Sequence, residues 1–350
     1  METAARGRRV FVLGREVPQV GTLAFGIVDR GTNVIEVRPT TMCALSCIFC
    51  SVNAGPRSRL RWAEYVVEPD ALLAALEEVV RFKGVDNVEV HIDGMGDPGH
   101  YPELAELVKG AKSIRGVSVV SMQTRLYMLD ERKIKELAGA GLDRLNVSID
   151  ALDAELARKL AGAEWYDISR VLQLVRVALE SGINIVVSPV WVPGLNDGEM
   201  PKIVKWAVEC GVGRGVLTPV VIQKYVPHKR GRRVRVRPMT WGEFWRRLRE
   251  MERELGVPLI PRPGEYNIHK APEIPKPFRV GDVVTVELVA RGIFRGELLG
   301  VPAARRGTAL LDRTFTVIYG PRASDGLVGR RARVVVVENK HNIYIARPLR

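Results

Sequence analysis

The stretch Cys43-Ala44-Leu45-Ser46-Cys47-Ile48-Phe49-Cys50 constrains the chain more than any other. Three of the four cysteines in 350 residues fall within it. They directly follow an apolar run (Val34, Ile35, Val37) that reads as a β-strand. Intervals of three and two residues let one loop wrap its thiolates around the corners of a compact metal cluster. Thiolates are soft ligands, suited to iron–sulfur or zinc sites. No further Cys or His occurs until His91, whereas a closed structural zinc site takes four protein ligands. A cluster held at three corners keeps one metal position open, the arrangement of a site that does chemistry.

Cys-x3-Cys-x2-Cys with an aromatic, Phe49, before the last Cys resembles the radical S-adenosylmethionine (radical SAM) superfamily. The resemblance implies that Cys43, Cys47 and Cys50 hold a 4Fe–4S cluster whose open iron chelates S-adenosylmethionine (AdoMet). Phe49 would then lie near the adenine or shield the cluster from water.

The length suits two or three domains with a sizeable core. No apolar run approaches the roughly 20 residues of a membrane span, and Val10–Leu13 is too short for a signal-peptide core. A cytoplasmic protein without disulfides is expected. Net charge is +13 and the pI about 9.8, which points to a polyanionic partner, nucleic acid first. A generally Arg-rich, thermophilic composition is the competing explanation.

Residues 1–32 read as an N-terminal extension, with Val10–Leu13 and Thr22–Asp29 as a β-hairpin. Over 33–222 the pattern alternates strand and helix in six units, the strands being Asn33–Arg38, Asn87–Ile92, Val117–Met122, Leu145–Ile149, Ile183–Val190 and Val216–Val221. This predicts an α/β domain with a parallel sheet. The resemblance implies the partial, TIM-like (β/α)6 barrel of radical SAM enzymes, with the site at the carboxyl ends of the strands. Residues 223–274 hold a basic run, a helix over Trp241–Leu255 and the start of a Pro-rich linker, Pro258–Pro277. Five short β-runs over 275–350 predict a small all-β barrel of oligonucleotide-binding type. Its Gly281-Asp282-Val283 opening and Gly296 resemble the RNA-binding TRAM domain. Residues 271–350 carry fourteen Lys and Arg against seven Asp and Glu.

Gly94-Met95-Gly96-Asp97-Pro98 resembles the family's Gly-Gly-Glu-Pro segment, whose backbone carbonyls would accept from the AdoMet ammonium. Met95 and Asp97 depart from that pattern, which puts a side-chain contact in question but not a backbone one. Thr124 and Ser148 end the third and fourth strands, and hydroxyls there suit the AdoMet carboxylate or ribose. Arg125-Leu126 stands where relatives carry Asn-Gly, so Arg125 is a candidate for the carboxylate or the substrate. Asp150 is either a ligand or the cap of the next helix. Ser188, Asn196 and Asp197 lie where family members contact the adenosyl group. Cys210, the spare thiol, reads as a core residue or a weak catalytic candidate. Lys229, Arg230, Arg232, Arg233, Arg235 and Arg237, with no carboxylate among them, read as RNA contacts or as a solvated loop.

The resemblance implies reductive cleavage of AdoMet to a 5′-deoxyadenosyl radical, with a ferredoxin or flavodoxin as electron donor. Thiol count narrows the subclass. A second cluster needs three further cysteines, the superfamily's rRNA adenine methylases use two, and neither set is present. Three readings remain: a single-cluster enzyme modifying a tRNA or rRNA nucleoside, one acting on a protein, peptide or metabolite with the barrel as docking module, and a non-catalytic zinc protein that binds RNA.

Overall fold

The computed structural model describes residues 3–4, 8–213 and 218–349, and the chain divides into two compact units. The first comprises residues 1–42, 56–120 and 269–350, the second 43–55 and 121–268. The first unit opens with β1 (Thr3–Ala4), β2 (Arg8–Leu13), β3 (Gly26–Asp29), β4 (Val34–Arg38), β5 (Ala63–Val67), α1 (Pro69–Lys83), β6 (Val88–Ile92), α2 (Leu104–Ser113) and the start of β7 (Val117–Thr124). Helix α1 starts with Pro69 in its first turn and ends at Gly84 with φ 61°, where a left-handed residue closes the last turn. Its Leu72, Leu76, Val79 and Val80 face the core.

The expected N-terminal hairpin does not form. Strand β2 pairs antiparallel with β1 and parallel with β5, in a three-stranded sheet of its own. Strand β3 instead pairs antiparallel with β4, at the edge of the main sheet. The partner of β2 lies beyond the cysteine loop, and a parallel pairing across such a crossover leaves no turn signal in the sequence.

The second unit continues with the rest of β7, then α3 (Glu131–Ala140), β8 (Arg144–Val147), α4 (Ala154–Ala161), α5 (Ile168–Glu180), β9 (Asn184–Val187), β10 (Val190–Trp191), α6 (Glu199–Glu209), β11 (Gln223–Lys224) and α7 (Trp241–Leu255). Strands β7, β8 and β9 are parallel, and the sheet reads β3-β4-β6-β7-β8-β9. This is the α/β partial barrel that the resemblance implies, built on the parallel sheet that the alternation predicts. Of the expected sixth strand, Val216–Val221, positions 216 and 217 lie outside the described residues. The remainder makes one parallel bridge, Val220 to Val187, before β11 pairs with β10.

The chain then returns to the first unit as β12 (Val283–Arg291), β13 (Glu297–Pro302), β14 (Phe315–Ile318), β15 (Arg331–Glu338) and β16 (Ile345–Pro348). These close a five-stranded barrel in the order β12-β13-β14-β16-β15, filled by Leu288, Leu298, Phe315, Val317 and Tyr344 among others. The barrel belongs to the first unit rather than standing apart. Thr314 N–H donates to Val20 O at 2.8 Å and Tyr344 N–H to Gly21 O at 2.6 Å. Nor is all of the Pro-rich stretch a free linker. His269 O accepts from Asn33 N–H, Ala271 N–H donates to Gly31 O, and Ile274 N–H donates to Asp29 Oδ2 at 2.9 Å. Lys83 Nζ reaches Asp29 Oδ1 at 2.8 Å and Pro272 O at 2.9 Å, and both members of this ion pair are fully buried. Among the described residues no helix is long and apolar enough to cross a membrane.

Removing one partner of a buried pair leaves the other charge uncompensated, which typically costs about 3–5 kcal/mol. Lys83→Met is therefore expected to lower unfolding stability by about that amount, read as a shift in the denaturation midpoint of the full chain.

Candidate active site

The cysteine loop takes its shape from the end of α4. Ser46 N–H donates to Ala161 O and Ile48 N–H to Leu160 O, each at 3.0 Å, so the loop satisfies carbonyls that a helix end leaves without intrahelical partners. Gly162, at φ +62°, ends the helix, and a Cβ there would sit 2.2 Å from Ser46 O. Only glycine fits both the backbone angle and the approach. All four cysteines are free and half-buried. Ala54 N–H donates to Cys50 Sγ at 3.3 Å. Burial pushes the Cys47 thiol up to about 11, with Arg125 pulling against it.

Arg232 fixes the loop from its other side. Its backbone N–H donates to Cys50 O at 2.8 Å, Nη1 donates to Cys47 O at 3.2 Å and Nη2 to Ala54 O. This guanidinium, which the sequence assigns to an RNA contact, is spent on the cysteine loop. Lys229, Arg230, Arg233, Arg235 and Arg237 are all exposed.

Around the loop stands a polar shell. Phe49 is buried at 8% exposure, and the Arg125 guanidinium lies 5.7 Å from its ring centroid. Arg125 pairs with Asp150. Burial is the largest influence and opposes its charge, but Asp150, Cys47 and Tyr166 together outweigh it and hold Arg125 protonated well above the ordinary value. Asp150 also accepts from Val190 N–H at 2.8 Å. It does not cap the next helix; that role falls to Asp153, which accepts from Leu156 N–H. The Tyr166 hydroxyl is buried next to Arg125 without a well-formed hydrogen bond. Burial pushes its pKa up to about 12, so it stays a neutral phenol with hydrogen-bonding capacity to offer a ligand.

Thr124 accepts from Leu126 N–H at 3.0 Å. Leu126 adopts φ +59° while fully buried, a conformation that costs a non-glycine residue about 1–2 kcal/mol. Ser148 accepts from Gln123 Nε2 at 2.9 Å, and Ser188 is buried at the end of β9. Asn196 is a strut: its Oδ1 accepts from Val192 N–H, and its Nδ2 donates to Asp150 O and Val190 O. Asp197 holds the same turn and accepts from Trp191 Nε1 and Arg247. Cys210 is the C-cap of α6. The spare thiol is half-buried there.

Tyr127 carries no motif, and sequence reasoning misses it. Its Oη accepts from Ala44 N–H at 3.1 Å and lies 3.4 Å from Cys43 Sγ. A metal-bound thiolate has no proton, so with the backbone donor already accepted the phenol O–H becomes the donor to sulfur.

In the first unit, Gly94-Met95-Gly96-Asp97 packs against the backbone that precedes Cys43. A Cβ on Gly96 would meet Met42 O at 2.3 Å, so this glycine makes room for the chain itself. Asp97 N–H donates to Met42 O at 2.9 Å, and its side chain caps a short turn through Gly99 N–H. Arg61, wholly buried and also unpredicted, ties Met95 O to Thr41 O and pairs with Glu64. The Met95 carbonyl is thus already an acceptor within the protein.

Residues 37–207 match the Radical SAM superfamily. Across 97% of its length the chain is 32% identical to "uncharacterized protein MJ0103" of Methanocaldococcus jannaschii, covering 80% of that relative. The chain belongs to the radical SAM superfamily. It is also 31% identical to the GTP 3',8-cyclase of Streptomyces coelicolor over 180 residues, half of this radical SAM chain and 49% of that protein. It therefore spans about half the length of the cyclases it matches. The crystal structure of SuiB from Streptococcus suis covers 69% of this chain and 47% of its own, with a TM-score of 0.47 and 16% identity.

Membership brings a 4Fe–4S cluster and AdoMet as cofactors, and the donor set fits them. Three thiols outside any disulfide, on one backbone-braced loop with a buried aromatic between two of them, offer soft ligands. The orphaned Tyr166 phenol leaves polar capacity for a ligand of this radical SAM enzyme. Gly162→Ala is expected to abolish most cluster loading, measured as iron and acid-labile sulfide per chain after anaerobic reconstitution. Tyr127→Phe is expected to load normally but to titrate at a more negative potential in an EPR-monitored reduction, because loss of a hydrogen bond to a ligand thiolate disfavours the reduced cluster.

Proposed function

We propose that this radical SAM enzyme modifies a nucleoside of tRNA or rRNA in the cytoplasm, taking its electron from a ferredoxin or flavodoxin. The observation that carries this reading is Arg232, which fastens the cationic run to the cysteine loop itself and leaves five further cations of that run around it. A polyanion gripped there is held beside the reacting centre, and proximity is what a hydrogen abstraction needs from the protein.

When bound, the cluster supplies the electron that splits AdoMet to methionine and a 5′-deoxyadenosyl radical. Cys43, Cys47 and Cys50 hold the cluster. Arg125, kept cationic by Asp150, suits the AdoMet carboxylate, and the Ser148, Ser188 and Tyr166 hydroxyls suit its polar groups. Phe49 and the buried walls keep solvent hydrogen donors out. In this reading the C-terminal barrel is a TRAM-like RNA-binding module. Because it hydrogen-bonds to Val20 and Gly21, its deletion would unseal the first unit, so charge substitutions are the cleaner probe. The GTP 3',8-cyclase matches favour a second reading, a free nucleoside triphosphate whose phosphates meet the same cations.

Reconstituted protein, reduced with dithionite, should be brown and cleave AdoMet, and 5′-deoxyadenosine should rise several-fold on adding RNA from a strain lacking the gene. Nucleoside mass spectrometry of that RNA before and after reaction should reveal one new mass. A rise with GTP and none with RNA would favour the second reading, and a colourless protein with one zinc would sink both. Replacing Arg233, Arg235 and Arg237 together by Ser is expected to flatten the slope of log affinity against log salt by about 2–3, one increment for each phosphate no longer neutralised.

A further inference from the structure

Helix α7 carries an apolar stripe that packs it and, edge-on to Phe244 of that stripe, an exposed pair of tryptophans. Phe244, Leu248 and Met251 are buried and hold the helix to the core. Trp241 and Trp245 are 57% and 37% exposed. Spaced one turn apart, they stack with ring centroids 6.1 Å apart and planes within 22°, as neighbours at i and i+4 do. Thr240 and Glu243 form a capping box that fixes the first turn of the helix, so the pair sits on a rigid element.

The surroundings of the pair are cationic. The Lys224 ammonium lies 5.0 Å from the Trp241 ring centroid. Arg237, the last cation of the basic run, approaches Glu243 at 3.6 Å, which ties that run to the same turn of the helix. Arg237 is five residues beyond Arg232, a span of at most about 18 Å, and Arg232 is bonded to the cysteine loop. A rigid aromatic surface set beside a track of cations is what a single-stranded polynucleotide binds: every base has a face to stack, and phosphates meet the positive charges.

We infer that Trp241 and Trp245 form a stacking platform for an unpaired RNA base, and that the strand runs from it along Arg237, Arg235 and Arg233 toward the cysteine loop. This rests on the RNA reading above and adds to it the form of the substrate. The RNA is bound unpaired, and a base flanking the modified nucleoside is stacked on the platform.

The test uses the full chain and three probes: a labelled oligouridylate, an abasic oligomer of the same length, and an RNA duplex. Wild type should prefer oligouridylate over both. Trp241→Ala and Trp245→Ala should each weaken oligouridylate binding about tenfold, with affinity for the abasic oligomer and the salt slope unchanged. Trp241→Tyr, which keeps a stacking face, should restore most of the loss, and circular dichroism should show the fold retained. Equal affinity of wild type and Trp241→Ala for oligouridylate overturns the platform while leaving the RNA reading intact. Wild type that binds no RNA at low salt overturns both. A wild-type dimer that Trp241→Ala converts to monomers overturns the platform as well, because the face is then covered by a second copy of the chain.

Discussion

Two backbone hydrogen bonds, from Ser46 and Ile48 to the last carbonyls of α4, are the interactions on which the site depends. A loop bearing three metal ligands has little regular structure, and burial of Leu45 and Phe49 does not by itself set its backbone. Here its amides take up acceptors that the helix end would otherwise leave bare, so main chain fixes the main chain and the sulfurs are left to bind. Arg232 repeats the device with side-chain donors, and Gly162 permits it by having no Cβ. The shape of the loop is therefore set by residues that would never be chosen as ligands.

A similar economy governs the approach to Cys43. Thr41 is held through its carbonyl by Arg61 and through its hydroxyl by Glu64, and Glu64 is shared with Arg8. Buried charges of this kind contribute little net stability beside an apolar replacement. Their directional demands fix which atom faces which, and a strand that must deliver a ligand benefits from such fixing more than from added stability. The same holds for Arg125 with Asp150. The pair keeps a cation beside the thiols at the cost of desolvation, and it braces β10 through Val190 N–H.

The sequence revealed what is periodic or composed of rare residue types. The cysteine spacing, the alternating barrel strands and the five β-runs of the C-terminal barrel all leave local signals, and α7 emerged at the expected bounds. The rest depends on partners distant along the chain. Strand β5 is short, and its pairing with β2 spans the cysteine loop. Tyr127 and Tyr166 carry no motif and matter only through what folding places beside them. Asn196 was legible as a residue at a strand end, but its three hydrogen bonds make it a brace. Arg232 looked like its neighbours in the basic run, and nothing in the composition marks it as the one turned inward. The Pro-rich stretch announced a linker, yet one buried carboxylate, Asp29, pins its end.

The closure of the first unit by its own C-terminal barrel sets an order on biosynthesis. Carbonyls of Val20 and Gly21 receive their donors from Thr314 and Tyr344, which are made far later along the chain. Until those barrel residues are made, the early strands lack a wall, and the apolar residues beneath them stay open to chaperones and proteases. A chain cut short late in its message would still carry all three cysteines yet have an unsealed first unit. The first unit therefore cannot close until its barrel strands have been made.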